Sequence, residues 1–164
     1  MKRLRFGLKT LFALVTVLGI LCGWFVFKVN EAGHQKRVVE EIRRMGSVVE
    51  YECDLEEPPR GLAKWRIDTF GKDFCCYAVE VKAGHPVFFD DLKLDRLIPL
   101  LKQLPKLEHL NLAFTDISNE HLKELTSLHS LKTLDLDFTK ATKDTVDELQ
   151  AALPTTTITS QGLE

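Results

Sequence analysis

Residues 107–130 read LEHLNLAFTDISNEHLKELTSLHS, and residues 131–153 read LKTLDLDFTKATKDTVDELQAAL. The second segment repeats the pattern of the first. Leu107, Leu110, Leu112, Phe114, Thr115, Leu122, Leu125 and Leu128 return as Leu131, Leu134, Leu136, Phe138, Thr139, Val146, Leu149 and Ala152, each 24 residues later. In L-x-L-x-F the leucines alternate. That directs them to one side of an extended strand and leaves Glu108, His109, Asn111 and Ala113 mostly on the other. The L-x-x-L spacing downstream suits a return helix. One such unit cannot bury its own apolar edge, whereas a copy beside it pairs the strands in parallel and joins the leucines into one core. Ser118 and Thr142 stand where a hydroxyl would cap that helix, with Glu120 and Asp144 in its first turn, where an acid favours the helix dipole.

The frame L-x-x-L-x-L-x-F-T followed by L-x-x-L resembles the leucine-rich repeat, a short strand with a return helix or turn. The resemblance implies an α/β fold: a short leucine-rich-repeat solenoid of about three units, parallel strands with return helices, behind an N-terminal α/β cap. Leucine-rich repeats commonly carry Asn after the strand to bond neighbouring backbone. Thr115 and Thr139 hold those positions here, and their hydroxyls are expected to serve instead.

Working outward, Cys76, Val79 and Val81 match the L-x-x-L-x-L frame as an irregular first unit, on a strand expected at 74–81. Its successor starts at Leu107, so this unit is 31 residues long. The extra length is assigned to a loop at 82–93, where Gly84 and Pro86 break structure. A helix at 95–103 turns Leu97, Ile98, Leu101 and Leu104 inward. The repeat domain then covers 76–164, with units at 76–106, 107–130 and 131–153 and a closing strand at 155–159 around Ile158. In the cap, 47–75, Gly46 ends the preceding helix and Val49, Tyr51 and Cys53 alternate with Glu50 and Glu52 as a strand. Residues 54–61 (DLEEPPRG) form a loop, and 62–70 a short helix that buries Trp65.

Residues 11–27 (LFALVTVLGILCGWFVF), opening on Leu11 and closing on Phe27, are uncharged between Lys9 and Lys28. Seventeen residues are at the short end of what spans a bilayer as a helix. The stretch is longer than a signal-peptide core and no small-x-small cleavage pattern follows promptly, so it reads as an uncleaved transmembrane anchor. Lys9 and Lys28 are expected to snorkel outward and Trp24 to sit near an interface. Lys2, Arg3, Arg5 and Lys9 make a basic tip at 1–10 with no acid. That tip lies closest to the span and points to a cytoplasmic N-terminus and extracytoplasmic repeats, although Lys28, Lys36, Arg37, Arg43 and Arg44 on the other side weigh against it.

Residues 28–46 read as a juxtamembrane amphipathic helix with Val38, Val39, Ile42 and Met45 on one stripe. The stripe either packs on the following domain or lies on anionic lipid, the former being favoured. Residues 1–44 carry nine Lys and Arg against three acids, whereas 45–164 carry 13 against 21. So acidic a domain argues against nucleic acid as a partner.

The order of basic tip, apolar anchor, basic helix, G-S-V-V-E-Y-E strand, Pro-rich loop, Trp segment and Thr-bearing repeats ending A-A-L-P is similar to a set of small membrane-anchored leucine-rich-repeat proteins of planctomycete bacteria. That resemblance implies a cell-envelope protein with an interaction role and brings no catalytic residues.

Chemistry-bearing motifs are sparse. Adjacent Cys75 and Cys76 face opposite ways in a strand; buried free thiols are expected, and a Cys53 disulfide to Cys75 or Cys76 is the alternative that an outward-facing domain permits. His109, His121 and His129 show no H-x-x-x-H or H-E-x-x-H spacing, and no G-x-S-x-G, phosphate loop or dinucleotide fingerprint appears. No cofactor or metal is therefore expected and no enzyme, the nearest approach being His109 beside Asp135 on neighbouring strands. Glu80, Asn111 and Asp135, flanked by His109, Thr133 and Asp137, are expected to form a polar strand face, either a solvated surface or a recognition patch. The expected function is a membrane-anchored binding module for a protein or envelope component. The alternative is a structural protein of the envelope that self-associates through its membrane and juxtamembrane helices.

Overall fold

The computed structural model describes residues 7–55, 59–83 and 89–162. Lys2, Arg3 and Arg5 of the basic tip, residues 56–58 of the 54–61 loop, and the loop residues Gly84 and Pro86 lie outside them. The chain enters as one helix, α1 (Leu8–Arg44), which runs through Lys28 without a break and joins the apolar and basic stretches into a single rod. Its 37 residues extend about 55 Å. The first part is exposed along its apolar side chains and is long and apolar enough to cross a membrane. The last part packs on the domain that follows. Val38, Val39 and Ile42 are buried in its core with Met45 against them, so the apolar stripe is turned to protein rather than laid on lipid. Gly46 at φ 88° ends the helix, a left-handed position that glycine takes without steric cost.

Lys28 reaches away from the apolar stretch, towards the domain. Its ammonium bonds the Glu31 carboxylate at 2.7 Å and the Tyr77 hydroxyl at 2.6 Å, so the end of the apolar stretch is tied to the domain.

The domain is mixed α/β. Five strands, β1 (Val48–Tyr51), β2 (Ala78–Lys82), β3 (His109–Asn111), β4 (Thr133–Asp135) and β5 (Thr157–Thr159), pair in chain order. β1 is antiparallel to β2, and the other pairs are parallel. The helices α2 (Glu52–Leu55), α3 (Leu62–Phe70) and α4 (Lys72–Cys75) fill the β1–β2 connection, and α5 (Asp91–Leu101), α6 (Asn119–Leu122) with a 3₁₀ turn at Lys123–Ser127, and α7 (Lys143–Ala152) return the chain between parallel strands. The inner row of the sheet, Val81, Leu110 and Leu134, joins Leu107, Leu112, Leu131, Leu136 and the buried helix residues Leu94, Leu97, Ile98, Leu101, Leu122, Leu125 and Leu149 in one core.

Register corrects the first unit. Val81 pairs with Leu110, so Ala78, Val81 and Ala83 correspond to Leu107, Leu110 and Leu112, and the expected frame of Cys76, Val79 and Val81 is two residues out. Both triplets have the same spacing, and the ladder bonds, such as the Ala83 amide to the Asn111 carbonyl at 2.8 Å, select the later one. The expected strand at 74–81 is correspondingly a helix through Cys75 and a strand only from Ala78. Cys53 belongs to α2 rather than to β1. The helix expected at 95–103 starts a turn earlier, where the Asp90 carboxylate caps the Lys93 amide at 3.1 Å. The later units keep their spacing: Leu110 pairs with Leu134 and Leu134 with Ile158, each a step of 24 residues.

Two further expectations fail locally. Trp65 is not buried; α3 forms where expected, but the indole is 58% exposed. Ser118 and Thr142 stand at the helix starts without capping them, because their hydroxyls turn to His121 Nδ1 (2.9 Å) and Thr145 Oγ1 (3.1 Å). Their own amides are instead held from the preceding unit, Ser118 by Asp91 Oδ1 at 2.7 Å and Thr142 by Asn119 Oδ1 at 2.9 Å.

Candidate functional site

The outward side chains of the sheet form two rows. In a strand each alternate residue faces away from the core, and parallel pairing sets equivalent residues side by side. One row is Glu80, His109, Thr133 and Thr157; the other is Lys82, Asn111, Asp135 and Thr159. The expected polar face is therefore present but differently sorted, with Glu80 beside His109 rather than Asn111, and Lys82 in a place that had not been assigned.

Hydrogen bonds follow the rows. His109 Nδ1 lies 2.7 Å from Thr133 Oγ1, and the Asn111 amide donates to Asp135 Oδ2 at 2.9 Å. His109 is thus paired with Thr133, not with Asp135. Lys82 Nζ meets Glu50 at 2.6 Å and Glu80 at 3.4 Å, and these carboxylates, Glu50 foremost through its hydrogen bond, hold the ammonium above its ordinary pKa. Asn111 and Asp135 also turn the chain: Asn111 Oδ1 accepts the Ala113 amide and Asp135 Oδ1 the Asp137 amide, each at 3.0 Å. Asp137 instead reaches across to the next segment, accepting the Gln161 amide at 2.6 Å.

Just beyond the strands, the backbone does something that sequence pattern does not announce. Phe114 and Phe138 take φ of 59° and 55°, a left-handed conformation costly for a bulky side chain. Their rings leave the apolar side of the strand and stack on each other at 4.8 Å, both more than half exposed. The next residues turn in. Thr115 and Thr139 are buried, and their hydroxyls donate to the carbonyls of Leu112 and Leu136, the backbone service expected of them. The result is an aromatic ledge adjoining the Asn111–Asp135 row. The only sequence signal for it was Phe recurring at 24 residues, which reads equally well as core.

Other groups that carry chemistry are few. Cys53 and Cys76 form a disulfide, with Cα atoms 6.0 Å apart, which overturns the expectation of buried free thiols; Cys75 remains free. Beside it, the Tyr51 hydroxyl donates to Asp73 Oδ1 at 2.6 Å, and burial first, then this carboxylate, raise the phenol well above its ordinary pKa. His121 lies between Asp91 and Asp95, each 3.4 Å from a ring nitrogen, and Ser118 Oγ reaches its Nδ1. That hydroxyl–imidazole pair, three residues apart, matches none of the motifs considered for the sequence. The two carboxylates beside it would repel an oxyanion, which disfavours a nucleophilic role. Among the described residues no group of three His, Cys, Asp or Glu side chains converges as metal ligands would.

Comparison of the chain with protein-family models, with curated proteins and with solved structures gives no match.

Proposed function

We propose that this chain is a single-pass membrane protein whose sheet domain is a short leucine-rich-repeat array that binds a protein or envelope component through its outward strand face. The observation that carries the reading is the ledge of Phe114 and Phe138, two exposed rings stacked on left-handed backbone beside Asn111, Asp135 and Asp137. Exposed aromatics held at a steric cost next to polar groups are what a binding hot spot requires, and the fold gains little from leaving them bare. The repeat assignment rests on the 24-residue register from β3 to β5 and on the Thr115 and Thr139 hydroxyl bonds. Such arrays commonly bind through the strand face, here Glu80, His109, Asn111, Thr133, Asp135 and Asp137.

An extracytoplasmic domain with a cytoplasmic N-terminus is part of the proposal. The Cys53–Cys76 disulfide favours it, because such bonds persist in oxidising compartments. The envelope role follows the likeness to membrane-anchored repeat proteins of planctomycetes. Self-association through the juxtamembrane stripe is disfavoured, since Val38 and Ile42 are occupied by the chain's own domain.

The test places a photo-crosslinking residue at position 137 in the full chain, expressed in cells, with position 102 on the helix side as reference. A discrete adduct at 137 that is absent at 102 and disappears with Phe138→Ala or Asp135→Lys is expected. Equal labelling at both positions, or an adduct insensitive to both substitutions, contradicts a binding strand face.

A further inference from the structure

The outward face of α3 exposes large apolar side chains among polar ones, where a surface helix is usually polar throughout. α3 packs inward through Ile67. At 100° per residue the opposite side of the helix carries Leu62, Trp65 and Thr69. Leu62 and Trp65 stand bare, as does Phe70 at its end. What covers them follows from where α3 lies. Phe74 of α4 touches Phe25 of α1 at 5.8 Å between centroids, Phe70 touches Phe74 at 5.3 Å, and Trp65 meets Phe70 edge-on at 6.2 Å. Phe25 belongs to the apolar stretch, about 4.5 Å short of Lys28 along the helix. That stretch is about 25 Å long against a hydrocarbon core of about 30 Å, so the bilayer surface is drawn towards the domain at this end.

Charge agrees with that placement. Residues 60–72 carry Arg60, Lys64, Arg66 and Lys72 against Asp68 alone, a basic strip within an otherwise acidic 45–164. A groove of about 380 Å³ separates α1 from the α3–α4 joint, walled by Phe25, Val29, Phe70 and Phe74 and, three turns further along α1, by Lys36. Its apolar end and cationic end follow the order of a phospholipid. The acid on its wall, Asp73, is engaged by Tyr51.

Resting on the reading of α1 as a membrane span, the geometry points to α3 as a second membrane contact. Leu62, Trp65 and Phe70 enter the boundary between headgroups and acyl chains in the leaflet that α1 leaves, and Lys64 and Arg66 meet the phosphates. The aromatic contacts from Phe25 to Trp65 hold the helix at that depth. Two attachments, α1 and α3, fix the tilt of the domain and hence the direction in which the strand face looks.

The chain has two tryptophans, so each is read separately in the full protein reconstituted in phosphatidylcholine–phosphatidylglycerol vesicles. In Trp24→Phe, the emission of Trp65 is expected to lie at short wavelength, to be quenched by lipids brominated near the headgroup, and to resist aqueous iodide. Quenching by iodide without quenching by bromolipid overturns the proposal. Protection from both also overturns it, since a protein would then cover the helix. In Trp65→Phe, Trp24 must be quenched by bromolipid if α1 spans. Loss of that signal removes the membrane reading itself, whereas its presence without Trp65 quenching removes only the second contact.

Discussion

Tyr51 shows how one side chain joins three elements. Its ring is buried at the end of β1, with Arg43 of α1 and Lys72 of α4 within cation–π reach, and its hydroxyl holds Asp73. Burial and the Asp73 carboxylate keep the phenol protonated to higher pH in the folded chain than in the unfolded one, and Lys82 is likewise held protonated by Glu50 and Glu80. Stability from a raised pKa is complete below the unfolded value, here about 10, and is lost as pH climbs towards the folded value. Lys82 is 41% exposed and adds little after solvent screening, so Tyr51 dominates. Denaturation of the detergent-solubilised chain at about pH 8 and about pH 11 should show a loss at the higher pH that Tyr51→Phe reduces. The substitution itself should cost about 1.5–3 kcal/mol at the lower pH, the value of a hydrogen bond to a charged acceptor. An unchanged alkaline loss in the variant would take Tyr51 out of this role.

Among the elements, the parallel strands from β3 on were legible in the sequence, and in the cap β1 and α3 were, whereas the placing of Cys53, the exposure of Trp65 and the start of β2 were not. β3, β4 and β5 follow from a fixed spacing of leucines, because a 24-residue period and period-two alternation together leave one register. β2 offered two frames of equal spacing. Small Ala78 and Ala83 occupy core positions there, and only the backbone ladder distinguishes them from Cys76 and Val79. Trp65 was misplaced for a different reason: its apolarity demands cover but does not say whether protein or lipid supplies it. The Phe114 and Phe138 rings were illegible because nothing in a phenylalanine side chain signals a left-handed backbone. At this scale the disulfide is the testable joint, since it binds α2 to Cys76 at the end of α4 across 23 residues. Chain entropy makes it worth about 3 kcal/mol. Cys53→Ser and treatment of the wild-type chain with reductant should therefore lower the unfolding midpoint by similar amounts, and reductant should add nothing in the variant. A midpoint that reductant leaves unmoved would remove the bond.

For the whole molecule, α1 joins a stretch long and apolar enough to cross a membrane directly to the sheet domain. Its apolar first part stands free, while its last part is built into the core through Val38, Val39 and Ile42, so the domain cannot swing from the anchor as it would on a loop. The Lys28 bonds to Glu31 and Tyr77 reinforce that junction at the end of the apolar stretch. An acidic domain on a rigid stem, with a polar strand face and an aromatic ledge, suits the proposed role of presenting a binding surface at a fixed angle from a bilayer. The direct measurement is topology. A single cysteine is placed at exposed Lys102 in a chain carrying Cys22→Ser and Cys75→Ser, and a membrane-impermeant maleimide is applied to intact cells and to lysed ones. Labelling in intact cells is the predicted result, and it places the domain outside. Labelling only after lysis contradicts the account, for it would put the strand face in the reducing cytoplasm.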